Sequence, residues 1–245
     1  MSNFRYTRPD NFPPIVKNLI IINVLVYIAQ ITLDSRFGIT SLISLYPIMP
    51  APLHDILVAN NVYEPSQKFL PYQIATHLFA HSPQTIFHIV FNMFGLWMFG
   101  RILENVWGGK RFFLFFIVCG LGAAACHLAI QYFRCQELLE AIQANQTITP
   151  GMLAAVSPAL GASGAIMGIF VAFGYLFPNT ELYIMFIPIP VKAKWAMIGL
   201  AAIDLFGGVA NISGDNVAHF AHLGGALTGF ILVLIWNRTN RHRFY

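Results

Sequence analysis

The chain has 245 residues, of which 57% are hydrophobic and only 10% charged, and its mean hydropathy is +0.64. A water-soluble domain carries about a quarter charged residues, so this composition excludes an ordinary soluble globule and points to a membrane protein. The net charge of +4 does not indicate nucleic-acid binding, because the basic residues are sorted by side of a membrane, as the elements below show.

A helix needs about 20 apolar residues to cross a bilayer, and six candidate segments follow in turn. The polar, proline-bearing start, residues 1–14, has no small-residue cleavage site after the first apolar run. That run, Ile15–Leu33, is therefore expected to be a retained span. Residues 34–84 follow, rich in Pro, Leu, Ile and Tyr, and are expected to lie on the outer membrane interface. The second span is Thr85–Leu103 and the third Phe112–Phe133. The fourth is Pro158–Phe177, and the fifth, Trp195–Val209, is short and holds Asp204. The sixth is Val217–Trp236, and residues 237–245 form a basic tail. Between the fourth and fifth spans, Pro188 and Pro190 in "LYIMFIPIPVKAKW" break any helix and leave an apolar stretch skimming the inner surface. The reading is one domain over residues 1–245, all-α and polytopic, with no repeat. Cys119, Cys126 and Cys135 form no disulfide framework.

With the N-terminus inside, eleven basic residues fall on inner segments: Arg5, Arg8, Lys17, Arg101, Lys110, Arg111, Lys192, Lys194, Arg238, Arg241 and Arg243. Three, Arg36, Lys68 and Arg134, fall outside. This bias places both termini in the cytoplasm and sets the basic groups against anionic headgroups rather than nucleic acid.

The second, fourth and sixth spans all run from outside to inside, and each carries polar residues close to its start: His88 and Asn92, Ser163, and His219 with His222. At 1.5 Å per residue, His88, Ser163 and His222 share a depth on the order of 5–8 Å below the outer end. Polar side chains at one level inside a membrane face one another or a water-filled cavity. Ser163 is the candidate nucleophile, with His222 or His88 as its base, and it sits at a helix start whose free N–H groups suit an oxyanion. "GAIMG" (Gly164, Gly168) and "GALTG" (Gly225, Gly229) are both GxxxG, the spacing that lets two membrane helices approach closely. Together with Gly161 they are the means by which His222 would reach Ser163.

Each residue alone also fits a plain packing or hydrogen-bonding role. His77 and His81, at i and i+4, suit a metal, but they precede the second span and no HExxH is present, so no metal site is expected. Asp204 is expected to make a structural hydrogen bond or salt link rather than to complete a triad. Glu104 and Arg101 are expected to bind neighbouring helix ends. A small transporter would show polar residues continuing inward, whereas the inner halves of these spans are apolar.

"HIVFN" (His88, Asn92), "GASG" (Ser163) and "AHLGGALTG" (His222, Gly225, Gly229), with "GRILENVWG" and "IPIPVKAKW", resemble the rhomboid intramembrane serine proteases of the bacterial six-span type. The resemblance runs from Phe69 to Trp236. It implies a six-helix bundle in a bacterial inner membrane, with its active site opening to the outer side. It implies a Ser163–His222 dyad, with His88, Asn92 and the Ser163 backbone N–H forming the oxyanion hole. The substrates would be transmembrane segments of other proteins, cut near small and helix-weakening residues, without metal or cofactor. A non-catalytic rhomboid-like protein that binds membrane clients is the rival reading. Two departures stand out. Met167 occupies a position where some members carry an aromatic residue against the histidine, and the loop "GGVANISGDNV" before the sixth span is longer than in the shortest members. Substrate identity and oligomeric state are not given by the sequence.

Overall fold

The computed structural model describes residues 9–183, 189–210 and 218–239. Outside these lie the start of the N-terminal segment, part of the proline stretch (184–188), most of the loop before the sixth span (211–217) and most of the basic tail (240–245). Six long or apolar helices follow the expected order: α1 (Pro14–Phe37), α5 (Ile86–Trp107), α6 (Gly109–Gln143), α8 (Ser163–Leu176), α9 (Ala193–Ala210) and α10 (Ala218–Thr239). Short helices α2 (Ile39–Ile43), α3 (Ala51–Ala59), α4 (Gln73–Thr76) and α7 (Pro150–Leu153) lie in the outer connections. Four helices, α1, α5, α6 and most of α10, are long and apolar enough to cross a membrane. Their outward faces carry large exposed apolar side chains such as Leu25, Phe87, Phe113 and Leu227, as expected of a lipid-facing surface.

Proline opens α1, where its missing N–H costs no hydrogen bond, and Gly38 closes it in the left-handed conformation at φ 60°. The amides of Ile15 and Val16 at the start of α1 donate to the two carboxylate oxygens of Glu104, at 2.9 and 2.8 Å. Glu104 thus binds a neighbouring helix end, as read from the sequence. Arg101 lies over the Trp97 ring, 4.3 Å from its centroid. Within α5, a π-helical turn spans Leu96–Gly100.

Helix α6 outruns its expected span by ten residues. Thirty-five residues are about 52 Å, against a hydrocarbon core of about 30 Å. The polar residues Arg134, Gln136, Glu137 and Glu140 end the hydropathy signal but not the helix. The extension supports the outer segment: Cys135, Leu138 and Leu139 pack with Tyr46, Leu53, Leu57, Tyr63, Ala155 and Val156 into a second apolar core. The Tyr63 hydroxyl donates to the Val156 carbonyl. Within residues 34–84, expected to lie at the membrane interface, residues 46–63 thus fold as a cap on the end of α6.

Helix α8 is the centre of the bundle. Every residue from Met167 to Gly174 is buried, against α5, α6, α9 and α10. Below it, Phe99 packs on Phe170 and Phe173 with ring centroids 4.9 and 5.0 Å apart. At 14 residues, α8 is about 21 Å long, shorter than the membrane. The fourth span was expected to begin at Pro158; the helix begins at Ser163. The reason is Gly161, whose φ of +120° is incompatible with a helix. Residues 158–162 are non-helical, and Ser163 stands at the first position of α8. Beyond the far end of α8, a two-residue antiparallel pair, β1 (Glu181–Leu182) with β2 (Val191–Lys192), flanks the proline stretch.

Candidate active site

The backbone entering α8 is held from the outer cap. Ala159 and Leu45 exchange two hydrogen bonds, at 2.8 and 2.9 Å, and the Gly161 N–H donates to the His77 carbonyl at 2.9 Å. Extended backbone at membrane depth has to find such partners, since no water is there to satisfy it. This strap delivers Ser163 to the first position of α8, where the amides have no intrahelical acceptor.

Helix α10 meets α8 through matched small residues. A Cβ on Gly225 would lie 2.6 Å from the Gly164 carbonyl carbon, and one on Gly229 would lie 2.6 Å from Gly168 Cα. The two GxxxG faces are thus in register, glycine on glycine. Ala123 and Cys119 of α6 close the third side: a Cβ on Gly164 or Gly168 would approach the Ala123 Cβ or the Cys119 sulfur to 2.5 Å. This contact brings His222, in the first turns of α10, to Ser163, with Nε2 2.9 Å from Oγ.

His88, in the first turn of α5, faces the same place. The Ser82 N–H donates to His88 Nδ1 at 3.0 Å, so a neutral His88 carries its hydrogen on Nε2. The Nε2 edge of the ring lies against Gly161: a Cβ there would be 3.0 Å from both Cε1 and Nε2, and 3.7 Å from Ser163 Oγ. A side chain at 161 would stand between the imidazole and the serine. Ser163, His88, Gly161, His77, Leu45 and Ala221 line a cavity of about 210 Å³. A larger cleft, about 390 Å³, lies between Arg134, Glu137, Gly208 and Phe220 and contains none of these groups.

Asn92 sits one turn further in. Its Nδ2 donates to the His88 carbonyl at 2.7 Å, while its buried Oδ1 has no protein partner. It is below the cavity wall rather than part of it. Met167 is buried with Val171, Ala226 and Met197. Because Met167 and Ala226 each follow their site residue by four positions, it fills the floor one turn beneath the Ser163–His222 pair.

Asp204, expected to make a structural hydrogen bond or salt link, has His219 and His222 as its partners. Its carboxylate reaches across from α9, and Oδ1 lies 3.1 Å from His222 Nδ1 and 2.7 Å from His219 Nδ1. Among the described residues, Asp204, His219 and His222 are the only three side chains of metal-ligand type gathered in one place, and they are engaged with one another. His77 and His81 diverge. His77 Nδ1 bonds to the Gln73 carbonyl at 2.9 Å. The backbone of His81 is clamped at both N–H and C=O by Gln30 of α1, each at 2.9 Å. Burial lowers the pKa of His77 below the ordinary value. Burial and the neighbouring His88 pull His81 down to about 4. Both stay neutral at physiological pH.

Residues 69–239 match the rhomboid domain. The chain belongs to the rhomboid family. This rhomboid is 29% identical over 152 residues to "Rhomboid protein 1, mitochondrial" of Saccharomyces cerevisiae, which covers 62% of this chain and 38% of that protein. It is 30% identical over 176 residues to "RHOMBOID-like protein 12, mitochondrial" of Arabidopsis thaliana, covering 70% of this chain and 47% of that one. With "Rhomboid protease AarA" of Providencia stuartii it shares 24% identity over 230 residues, covering 89% and 70%. The chain thus spans less than half of the mitochondrial relatives' length. Its relatives are both mitochondrial and bacterial, so the resemblance fixes the family and an integral membrane protein, not the bacterial type. Within the rhomboid frame, the described residues bring Ser163 and His88 to one cavity, set His222 against Ser163, and place Asp204 on the far edge of the His222 ring.

Proposed function

We propose that this rhomboid is an intramembrane serine endopeptidase that hydrolyses peptide bonds in or beside transmembrane segments of other membrane proteins. The observation that carries the reading is the 2.9 Å contact between Ser163 Oγ and His222 Nε2 beside a cavity. The similarity to a protein named a rhomboid protease also supports it.

In this reading His222 Nε2 takes the Ser163 hydroxyl proton as Oγ attacks the scissile carbonyl carbon. The resulting oxyanion accepts hydrogen bonds from the Ser163 backbone N–H and from His88 Nε2–H. Asn92 joins them by turning its amide away from the His88 carbonyl. His222 then passes the proton to the departing amine, and water, activated by the same imidazole, releases the acyl group from Ser163. Because a helix occupies its own carbonyls, the substrate has to unwind near the cut, and small residues there fit a cavity of about 210 Å³. The bias of basic residues supports both termini on the inner side of the membrane, which puts the Ser163 end of α8 toward the outer side.

The test is reaction of the purified protein in liposomes with a fluorophosphonate, alongside cleavage of a co-reconstituted transmembrane substrate. Wild type labels and cleaves, and Ser163→Ala does neither. Unchanged cleavage by Ser163→Ala overturns the proposal. Absence of labelling and cleavage by wild type favours a non-catalytic membrane-protein binder.

A further inference from the structure

Asp204, Gly207 and Gly208 stand at i, i+3 and i+4 on the face of α9 that meets α10. Gly207 lets the His219 ring lie directly on α9, since a Cβ there would come within 2.7 Å of His219 Cε1, and Gly208 does the same for Phe220, at 3.0 Å. The glycines draw α10 in until the Asp204 carboxylate, 6% exposed, meets two imidazoles through one oxygen.

From this juxtaposition we infer that Asp204 is a positioning residue of the active site, holding His222 through Nδ1 so that Nε2 is free to act as the base. The inference rests on the Ser163–His222 reading above. A neutral imidazole has one N–H, and an ionised carboxylate only accepts. Asp204 Oδ1 at 3.1 Å therefore selects the tautomer with hydrogen on Nδ1. The lone pair is left on Nε2, which faces Ser163 Oγ at 2.9 Å. With the other tautomer, Nε2–H would point at the hydroxyl and no proton could be taken from it. When Ser163 attacks, its proton moves to Nε2, Nδ1 keeps its own, and Asp204 stays ionised beside the imidazolium. His219 is the second donor to the same oxygen, at 2.7 Å. It fixes the carboxylate, with its ring edge-on to His222 at an interplanar angle of 87°. His219 alone would tie α9 to α10; the second contact, to Nδ1 of the residue that meets Ser163, is the one that bears on the base.

The test compares wild type, Asp204→Asn and Ser163→Ala, reconstituted in liposomes with a transmembrane substrate, and reads the His222 tautomer by nitrogen-15 NMR of histidine-labelled protein. Asp204→Asn keeps the shape and hydrogen-bonding capacity of the side chain but loses its charge and its acceptor-only character. Its kcat should fall by about 100-fold or more, with KM within about twofold, and the wild-type His222 should carry its hydrogen on Nδ1. If Asp204→Asn keeps the wild-type kcat while Ser163→Ala is dead, the role of Asp204 is overturned and the Ser163–His222 reading stands. If Ser163→Ala cleaves, both fall. A wild-type His222 with its hydrogen on Nε2 overturns the inference even where the asparagine variant fails to fold.

Discussion

Substituting Gly225 by alanine tests whether helix approach, rather than the mere presence of Ser163 and His222, sets the activity. The new Cβ would lie 2.6 Å from the Gly164 carbonyl carbon, and closer still to its oxygen. Non-bonded carbons rest about 3.5–4.0 Å apart, so α8 and α10 have to separate by about 1 Å at this level. The clash is backbone on one side, so no side-chain rotation relieves it. Ser163 is one residue from Gly164, and His222 is three from Gly225, so the separation passes to their 2.9 Å hydrogen bond and stretches it to about 3.9 Å, beyond hydrogen-bonding range. A displacement of about 1 Å at a reacting pair costs on the order of 100-fold in rate. The assay is the initial rate of substrate cleavage in liposomes together with the rate of fluorophosphonate labelling, with circular dichroism to show that helix content is kept. Gly199→Ala, at a site on α9 with nothing within 4 Å of the added methyl, is the control and should match wild type. A folded Gly225→Ala protein that cleaves and labels at the wild-type rate would refute the reasoning, because the glycine contact would then not set the Ser163–His222 distance.

Three further outcomes follow from the geometry. His88→Phe keeps a ring against Gly161 but removes the Nε2–H donor; kcat should drop by roughly 10²–10³ with KM little changed, and an unchanged kcat would take His88 out of oxyanion stabilisation. Glu104→Ala leaves the amides of Ile15 and Val16 without their buried acceptor. It should cost about 2–4 kcal/mol, read as a lowered Tm in detergent, and an equal Tm would mean that the start of α1 finds other partners. His81 is fully buried with a pKa near 4, whereas in the unfolded chain it titrates at about 6.5. The unfolded state therefore binds the proton first as pH falls, and stability is full above about pH 6.5 and declines toward pH 4, by at most about 3 kcal/mol. Thermal unfolding across that window should show the decline, and His81→Phe should flatten it; identical profiles would assign the acid sensitivity elsewhere.

The spans were legible because the bilayer demands about 20 apolar residues in each, and the shared depth of His88, Ser163 and His222 followed from counting along them. The register of the two GxxxG motifs was legible for the same reason: close approach leaves a compositional trace. The start of α8 was misplaced by five residues, although Gly161 marked it, because an apolar count does not register backbone conformation. The end of α6 was misplaced because hydropathy reports the membrane boundary, and this helix continues past it to carry Leu138 and Leu139 into the outer core. Asp204 was visible as an acid within a span, but its partner was not. A carboxylate there finds whichever donor the tertiary packing offers, and the close approach of α10 at Gly207 and Gly208 makes those donors the imidazoles of His219 and His222.

The outer cap, which the sequence reading set apart from the chemistry, belongs with it. A serine at the first position of a helix gains backbone N–H donors only if the chain before it is not helical, so residues 158–162 have to run through the membrane's depth without their own hydrogen-bond ladder. Each unsatisfied group there would cost several kcal/mol. Leu45 and His77 accept and donate in place of the missing helix, and both come from the 34–84 segment. That segment is in turn held by Gln30 on the His81 backbone and by the α6 extension beneath Tyr46, Leu53 and Leu57. The late start of α8 at Ser163, the overlong α6 and the folded 34–84 segment are therefore linked: a helix that begins only at Ser163 obliges the fold to provide, from outside the bundle, the partners that a longer helix would have supplied to itself.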